Sequence, residues 1–185
     1  MLLELGRLAG LVMFGTVSPA KHSVVSAYGA VPIDYRTEDF VRVLEDQAPG
    51  GIDAVFDPIG GPNWERSIRT LGAGGRFIGY GYTSALGQGN SEEWVKEWSS
   101  PAAKRVTENG QSIQLYSITS WKKERPDWFM EDAGQVLDLL REGRIRPLIY
   151  RRIPLREAAE AHRLLEGSQA AGKVVLVHVH DEVEE

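Results

Sequence analysis

The sequence predicts an α/β protein with a Rossmann-like parallel sheet and helices on its faces. Short apolar runs typical of strands alternate with amphipathic helical segments, and glycine-rich links join them. One run, residues 52–57 (IDAVFD), has the composition of a strand that is covered on both faces. In such a sheet ligands bind beyond the carboxyl ends of the strands, so the residues that follow each strand are the candidates for function.

Hydrophobic spacing, caps and glycines predict the individual elements. Leu2, Leu5, Leu8 and Val12 recur at helical spacing and predict a helix with a buried apolar face and no preceding cap. Ser18, followed by a proline, predicts the N-cap of the next helix, and Thr37 that of the third. Strands are expected at 11–16, 30–35, 52–57, 76–82, 112–119, 147–153 and 173–179, with helices at 19–28, from 37 to before 49, within 58–71, at 127–143 and at 155–167. In the helix within 58–71, Trp64, Ile68 and Leu71 are expected to share one face. Residues 83–111 are expected to form a long loop or irregular insertion.

Composition excludes several classes of function. The 21 basic and 26 acidic side chains give a formal charge of -5 without a long basic run, which argues against nucleic acid or an anionic membrane as partner. The absence of cysteine excludes disulfides and thiolate-bound zinc within these residues. No apolar run is long enough to span a membrane and no secretion signal is found, so a cytoplasmic protein is expected.

The segment after the first predicted strand favours an anion site. Thr16, Ser18 and Lys21 stand where an NAD-binding sheet would usually carry an acidic residue for the ribose hydroxyls. Hydroxyls, a lysine and the amides of a helix start suit the 2′-phosphate of NADPH. The alternative is that Ser18 only caps the helix and Lys21 is a solvated charge. Tyr35, after the next strand, is either a further neighbour of that phosphate or a half-buried core tyrosine.

The next two strands are also followed by candidate ligand contacts. After residues 52–57, Gly60 and Gly61 give a ligand room to approach the backbone, and Ile59 is placed to cover an adenine face. After the following strand, Tyr80 would border the nicotinamide of a bound dinucleotide. The alternative is that the glycines only shape the turn. The recurrence of such residues after consecutive strands favours a dinucleotide.

Several blocks resemble the medium-chain dehydrogenase/reductase superfamily. They are GTVSPAKHSVVSAYGAVPIDYRTEDF, GGIDAVFDPIGG, GAGGRFIGYGYTS, DLLREGRIRPLI and PLREAAEAHRLLEGSQAAGKVVLV, in order from Leu2 to Val177. The most similar branch is the zinc-independent quinone oxidoreductase-like group, which is often labelled zinc-binding alcohol dehydrogenase. The resemblance implies NADPH as cofactor, no zinc, and hydride transfer to a quinone or enone-type acceptor.

The resemblance also implies roles for individual residues. Ser18, Lys21 and Tyr35 match positions that hold the adenosine phosphate, while Ile59 and Gly60 match the turn beside the adenosine. Tyr80 matches the loop near the nicotinamide, and Lys173 the start of the last strand near the cofactor cleft. Family members commonly dimerise through an edge strand, for which residues 112–118 are the candidate. No catalytic residue is assigned.

The chain departs from this family at its start. Family members carry an amino-terminal substrate domain, a strand and a glycine-rich turn before the helix that resembles residues 2–10. We therefore expect a truncated chain whose sheet lacks its central strand, between strands 11–16 and 52–57. Each buried backbone group left unpaired there would cost roughly 1 to 3 kcal/mol. The expected domains are a partial dinucleotide-binding domain (1–118), a segment that would pack on the substrate domain (119–180) and an acidic tail (181–185).

Two functions remain open from the sequence. The first is a portion of an NADPH-dependent oxidoreductase that transfers hydride to a quinone or enone. The second is a catalytically inactive domain that acts as a weak nucleotide-binding or dimerisation module. A transferase that uses S-adenosylmethionine is disfavoured, because such sites usually place an acid after the second strand and residues 16–21 contain none.

Overall fold

The structure, a computed structural model, describes residues 1–85 and 104–178 and confirms an α/β fold with parallel strands and flanking helices. The strands are β1 (Phe14–Val17), β2 (Val31–Asp34), β3 (Ile52–Asp57), β4 (Leu71–Gly79), β5 (Lys104–Val106), β6 (Ser112–Leu115), β7 (Ile149–Pro154) and β8 (Lys173–Val177). The helices are α1 (Leu2–Leu8), α2 (His22–Ala27), α3 (Phe40–Gln47), α4 (Pro62–Arg69), α5 (Ile118–Glu124), α6 (Pro126–Arg141) and α7 (Ala158–Glu166). Short 3-10 turns occupy Pro19–Lys21, Thr83–Ala85 and Leu155–Glu157.

The chain divides into two compact units, and the strands that the structure describes form three sheets. One unit contains Met1–Asp34 and the residues from Gln135 onward, and the other contains Tyr35–Gly134. The first unit holds two parallel pairs, β1-β2 and β7-β8. The second holds a four-stranded sheet in the order β3-β4-β6-β5, in which only β5 is antiparallel. The domain organisation expected from the sequence, with a boundary after residue 118, stays a prediction.

Strands β1 and β3 each lie at an edge of their own sheet. Over residues 1–85 and 104–178, β1 pairs with β2 alone and β3 pairs with β4 alone. Each of the two strands therefore has one side without a partner strand in these ranges.

The core of the second unit forms where α4 packs on the four-stranded sheet. Phe77, Leu71 and Ile113 are buried, and Trp64 and Ile68 of α4 pack against them. The indole of Trp64 meets the Phe77 ring edge to face at 5.8 Å between centroids. The predicted apolar face of this helix is therefore confirmed.

Glycines determine where β4 begins. Residues 72–75 were expected to form the link before the strand, but they lie within β4. The reason is close approach of two backbones, because a Cβ on Gly51 would lie within 2.3 Å of the Gly72 nitrogen. A Cβ on Gly75 would lie 2.8 Å from the Ile52 carbonyl oxygen. Only glycine permits this pairing, which includes a register shift between Ile52 and Ala54.

Two predicted helix starts are wrong. Asp39 caps α3, because its side chain accepts a hydrogen bond from the Val41 amide at 3.1 Å, whereas Thr37 lies outside the helix. Ser18 precedes a 3-10 turn and makes no side-chain capping bond, and α2 itself begins only at His22. The proline after Ser18 has no N–H to donate. The hydrogen bond that closes the 3-10 turn runs from the Lys21 amide to the Ser18 carbonyl.

The region around β6 also differs from expectation. The predicted strand 112–119 ends at Leu115, and Ile118 already begins α5. Part of the predicted loop forms β5, which pairs with β6 on the side away from β4, so 112–118 is wrong as an edge strand. Residues 86–103 of that loop and the tail from 179 lie outside the described residues.

Helix α1 buries a different face from the predicted one. Leu2, Leu8 and Val12 are 44%, 40% and 85% exposed, while Glu4 and Gly6 are buried. The Glu4 carboxylate accepts a hydrogen bond from the Arg146 amide at 2.6 Å. A periodic apolar stripe is buried only where another element covers it, and here the polar contact of Glu4 determines which side of α1 faces inward.

We expect the variant Glu4→Ala to lower the free energy of unfolding by about 2 to 3 kcal/mol, because it leaves the Arg146 amide without its charged acceptor. Urea denaturation measures the loss. The control Glu45→Ala removes an exposed carboxylate from α3 and should change stability by less than about 0.5 kcal/mol. Equal effects of the two variants would contradict a role for Glu4.

Candidate functional site

The loops that follow β3 and β4 are joined by three backbone hydrogen bonds. The Tyr80 amide donates to the Asp57 carbonyl at 3.0 Å, the Thr83 amide to the Pro58 carbonyl at 3.0 Å, and the Ser84 amide to the Ile59 carbonyl at 2.9 Å. The two loops therefore form one rim at the carboxyl ends of adjacent parallel strands, which is where ligands bind in such sheets. This rim brings Ile59, Gly60 and Tyr80 together.

The side chain of Asp57 organises the first of these loops. It is 3% exposed, at the last position of β3. Its Oδ1 accepts a hydrogen bond from the Ile59 amide at 2.7 Å, and its Oδ2 accepts from Asn63 Nδ2 at 2.8 Å and from Ser67 Oγ at 2.7 Å. The carboxylate thus ties the end of the strand to the turn and to α4.

Sequence reasoning did not single out Asp57. A signal for it exists in the spacing of its partners, since Asn63 and Ser67 lie four residues apart and so share one face of α4. Two polar residues beside the apolar face of a helix, opposite a strand that ends in aspartate, indicate a buried carboxylate with side-chain donors.

Gly60 and Gly61 have backbone conformations that other residues rarely adopt, with φ of 83° and 57°. Gly60 is buried against Tyr82, and a Cβ on it would lie 2.4 Å from the Tyr82 Cδ2 atom. The ring of Tyr82 in turn meets that of Trp64 edge to face at 5.4 Å. Gly60 therefore shapes the turn, and its contact with a ligand stays a prediction.

Ile59 and Tyr80 present partly exposed apolar side chains on this rim. They are 41% and 42% exposed, respectively. Burial of its ring raises the pKa of the Tyr80 hydroxyl above the usual 10.0, and the negative charge of Asp57 raises it further. The phenol is therefore neutral at physiological pH and able to donate a hydrogen bond.

Tyr35 lies directly after β2 and is 53% exposed, which is compatible with a half-buried tyrosine and also leaves part of the ring accessible to a ligand. The guanidinium of Arg36 lies 5.8 Å from the centre of its ring. The exposed ring and its hydroxyl are consistent with a place at a ligand site.

The residues after β1 belong to the other unit. Thr16 is exposed, Ser18 and Lys21 are partly exposed, and the Ser18 side chain makes no capping bond. Within the described part of the chain, Lys21 forms no ion pair. A helix start does not contribute an anion site here, because a 3-10 turn precedes a helix of only 6 residues. The hydroxyls and the ammonium group are the donors that remain.

Lys173 lies at the amino end of β8, in the separate β7-β8 sheet, and its amide donates to the Leu148 carbonyl at 2.8 Å. Its side chain is exposed. The structure thus places it in the same unit as Lys21 but at the beginning of a strand, unlike the other candidates.

Residues 1–85 and 104–178 contain no group of three or more histidine, aspartate or glutamate side chains arranged to hold a metal ion. None of the helices there is both long and apolar enough to cross a membrane.

The family model for zinc-binding dehydrogenases matches residues 28–176. The chain belongs to this family. It is 29% identical over 173 residues to the synaptic vesicle membrane protein VAT-1 homolog of Danio rerio, covering 90% of this chain and 35% of that protein. It is 27% identical over 173 residues to quinone oxidoreductase 1 of Escherichia coli, covering 91% of this chain and 50% of that protein.

Solved structures of the same superfamily share the fold. The Escherichia coli quinone oxidoreductase complexed with NADPH matches with a TM-score of 0.73 at 23% identity, over 95% of this chain and 52% of that one. The CurK enoyl reductase matches with a TM-score of 0.73 at 21% identity, over 96% and 50%. The chain spans about half the length of these proteins. The family model over residues 28–176 confirms the predicted membership of the medium-chain dehydrogenase/reductase superfamily.

We expect Gly60→Ala to destabilise the protein by about 2 to 4 kcal/mol, since it combines an unfavourable positive φ with a clash against Tyr82. The matched control is Gly74→Ala, where φ is 72° but a Cβ meets nothing within 4 Å. Thermal or urea unfolding should therefore show a smaller loss for the control. Adding Tyr82→Ala should relieve part of the Gly60→Ala loss that comes from the clash.

The raised pKa of Tyr80 predicts a pH-dependent contribution to stability. The unfolded chain loses this phenolic proton at a lower pH than the folded one, so the contribution is complete below about pH 10 and is lost as the pH rises above it. The variant Tyr80→Phe should therefore lose less stability than the wild type between pH 9 and about pH 11. Urea unfolding at several pH values tests this, and an equal slope for both proteins would contradict it.

Proposed function

We propose that this chain provides the NADPH-binding part of an oxidoreductase that transfers hydride to a quinone or an enone-type acceptor without zinc. The observation that carries the proposal is the rim formed by the hydrogen-bonded loops after β3 and β4, where Ile59 of the first loop and Tyr80 of the second have partly exposed side chains. A flat, partly apolar ligand suits such a rim. The match to a quinone oxidoreductase whose structure holds NADPH supports the choice of ligand.

Each predicted residue has a proposed role. Ile59 and Gly60 lie against the adenosine, and Tyr80 lies near the nicotinamide. Thr16, Ser18, Lys21 and Tyr35 hold the 2′-phosphate through hydroxyl donors and a positive charge, which is the chemistry that a phosphate monoester requires. Lys173 contacts the cofactor at a second positive position.

When bound, NADPH supplies the hydride, and the residues of this chain bind and orient it. The neutral Tyr80 hydroxyl is a hydrogen-bond donor on the rim, which favours a polar contact with the cofactor. A polarised acceptor carbonyl requires hydrogen-bond donors in place of a metal. We assign no such donor here, because the chain spans about half the length of its relatives. The cysteine-free composition supports a location in the cytoplasm.

The second candidate is a catalytically inactive nucleotide-binding or dimerisation module. The open edges of β1 and β3 favour it, because an unpaired strand edge is a common place for another chain to bind. NADPH oxidation in the presence of quinones and enones separates the two: NADPH binding without turnover supports the module. Failure to bind NADPH at millimolar concentration contradicts the proposed role in NADPH binding.

Lys21→Ala should weaken NADPH binding by about tenfold or more and NADH binding little, because only NADPH carries the 2′-phosphate. Titration of cofactor fluorescence or of heat measures both dissociation constants. Lys123→Ala removes an exposed lysine of α5 and serves as the charge-matched control. Equal losses for NADPH and NADH on Lys21→Ala would contradict the assignment of the 2′-phosphate to this lysine.

A further inference from the structure

We propose that Asp57 is a positioning residue that sets the affinity for the cofactor without touching it. The inference rests on the proposed NADPH site and concerns how the protein holds Ile59 and Tyr80 in place. Asp57 is nearly inaccessible to solvent, so a ligand on the rim meets its neighbours and not its carboxylate.

The carboxylate of Asp57 holds the backbone of Ile59 in place. Oδ1 of Asp57 accepts the Ile59 amide at 2.7 Å, a short charge-assisted hydrogen bond two residues away. This bond bends the chain directly after β3 and fixes the direction in which Ile59 leaves the strand. The side chain of Ile59 consequently stands on the rim, 41% exposed.

The other oxygen of the Asp57 carboxylate is held by side chains of α4. Oδ2 accepts from both Asn63 Nδ2 and Ser67 Oγ, which lie on the first and second turns of α4. Helix α4 packs on the sheet through Trp64 and Ile68, so these donors are anchored in the core. The turn is thus clamped between β3 and a helix that cannot move independently of the sheet.

The main chain of Asp57 is also hydrogen-bonded to Tyr80. The Tyr80 amide donates to the Asp57 carbonyl at 3.0 Å, and the negative charge of Asp57 acts on the Tyr80 hydroxyl. One residue therefore fixes both loops, the first through its side chain and the second through its main chain. Loss of the carboxylate frees the first loop and changes the electrostatic environment of the second.

The conservative variant Asp57→Asn isolates the role of the second carboxylate oxygen. An amide in this place loses the negative charge and replaces one acceptor oxygen with an NH₂ donor. With its oxygen kept toward the Ile59 amide, the NH₂ group faces Asn63 and Ser67, which can accept from it only after the Asn63 amide flips or the Ser67 hydroxyl rotates. Its matched control is Asp53→Asn, which removes an exposed carboxylate from the same strand. Ser67→Ala and Asn63→Ala each remove one donor and leave the bond to Ile59.

The experiment measures NADPH dissociation constants by titration of the full chain, at a temperature where circular dichroism shows each variant to be folded. We expect Asp57→Asn to weaken binding about tenfold, Ser67→Ala and Asn63→Ala by smaller factors, and Asp53→Asn not at all. Hydrogen exchange of the Ile59 amide should accelerate in the same order. This second readout reports on the loop whether or not NADPH is bound.

Each outcome decides between the claims. If Asp57→Asn lowers stability but binds NADPH with the wild-type dissociation constant, the residue is only structural and the inference is wrong. If Asp57→Asn fails to fold, the double variant Asn63→Ala/Ser67→Ala takes its place, and unchanged NADPH affinity there overturns the inference. If the wild-type chain binds no NADPH, the proposed function is wrong. If the Ile59 amide nevertheless exchanges faster in Asp57→Asn, the result still supports the claim that Asp57 holds this loop in place.

Discussion

The hydrogen bonds accepted by the buried carboxylate of Asp57 are the interaction on which the rim of the four-stranded sheet depends. Removing a carboxylate from water costs several kcal/mol, and only well-placed donors offset that penalty. Three donors surround this one, from the turn and from the first two turns of α4. Because each donor must stay in place, the backbone between Asp57 and Ser67 has little freedom. The conformation of the rim is therefore determined by a polar contact and not by apolar packing alone.

Close backbone packing at the opposite end of the same strands supports this arrangement. Gly51 and Gly72 approach so closely that neither has room for a side chain, and the register shifts between Ile52 and Ala54. From Ala54 to Asp57 the pairing with β4 is regular and continues to Gly79. Asp57 and Tyr80 consequently leave the sheet at the same level, which permits the hydrogen bond that joins the two loops. The glycines thus affect the geometry of the candidate site through the register of β3 and β4.

Patterns within short segments predicted much of this fold. Residues 52–57 form a strand, as their composition indicates, but the strand is not covered on both faces, since Asp53, Ala54 and Phe56 are exposed. Trp64 and Ile68 pack in the core as their helical spacing predicts, whereas Leu71, which was expected on the same helix, begins β4. Predictions that required knowledge of neighbouring elements were wrong, since apolar spacing in α1 did not reveal that Glu4 would find the Arg146 amide. The edge position expected for 112–118 depended on residues far away in sequence, where β5 forms. Asp57 was missed for the same reason, because its burial depends on partners up to 10 residues downstream.

Exposure to water determines what the unpaired backbone groups at the edges of β1 and β3 cost. The sequence led us to expect unpaired backbone groups at roughly 1 to 3 kcal/mol each, a figure that applies only where such groups are buried. In β3, Asp53, Ala54 and Phe56 are exposed, and in β1, Thr16 is exposed, so water reaches these edges. Hydrated N–H and C=O groups retain hydrogen bonds, and the main penalty becomes the apolar surface left in water, such as the half-exposed ring of Phe56. The parallel pairing within each unit is therefore compatible with a hydrated edge, and the Asp57 clamp takes all of its donors from its own unit.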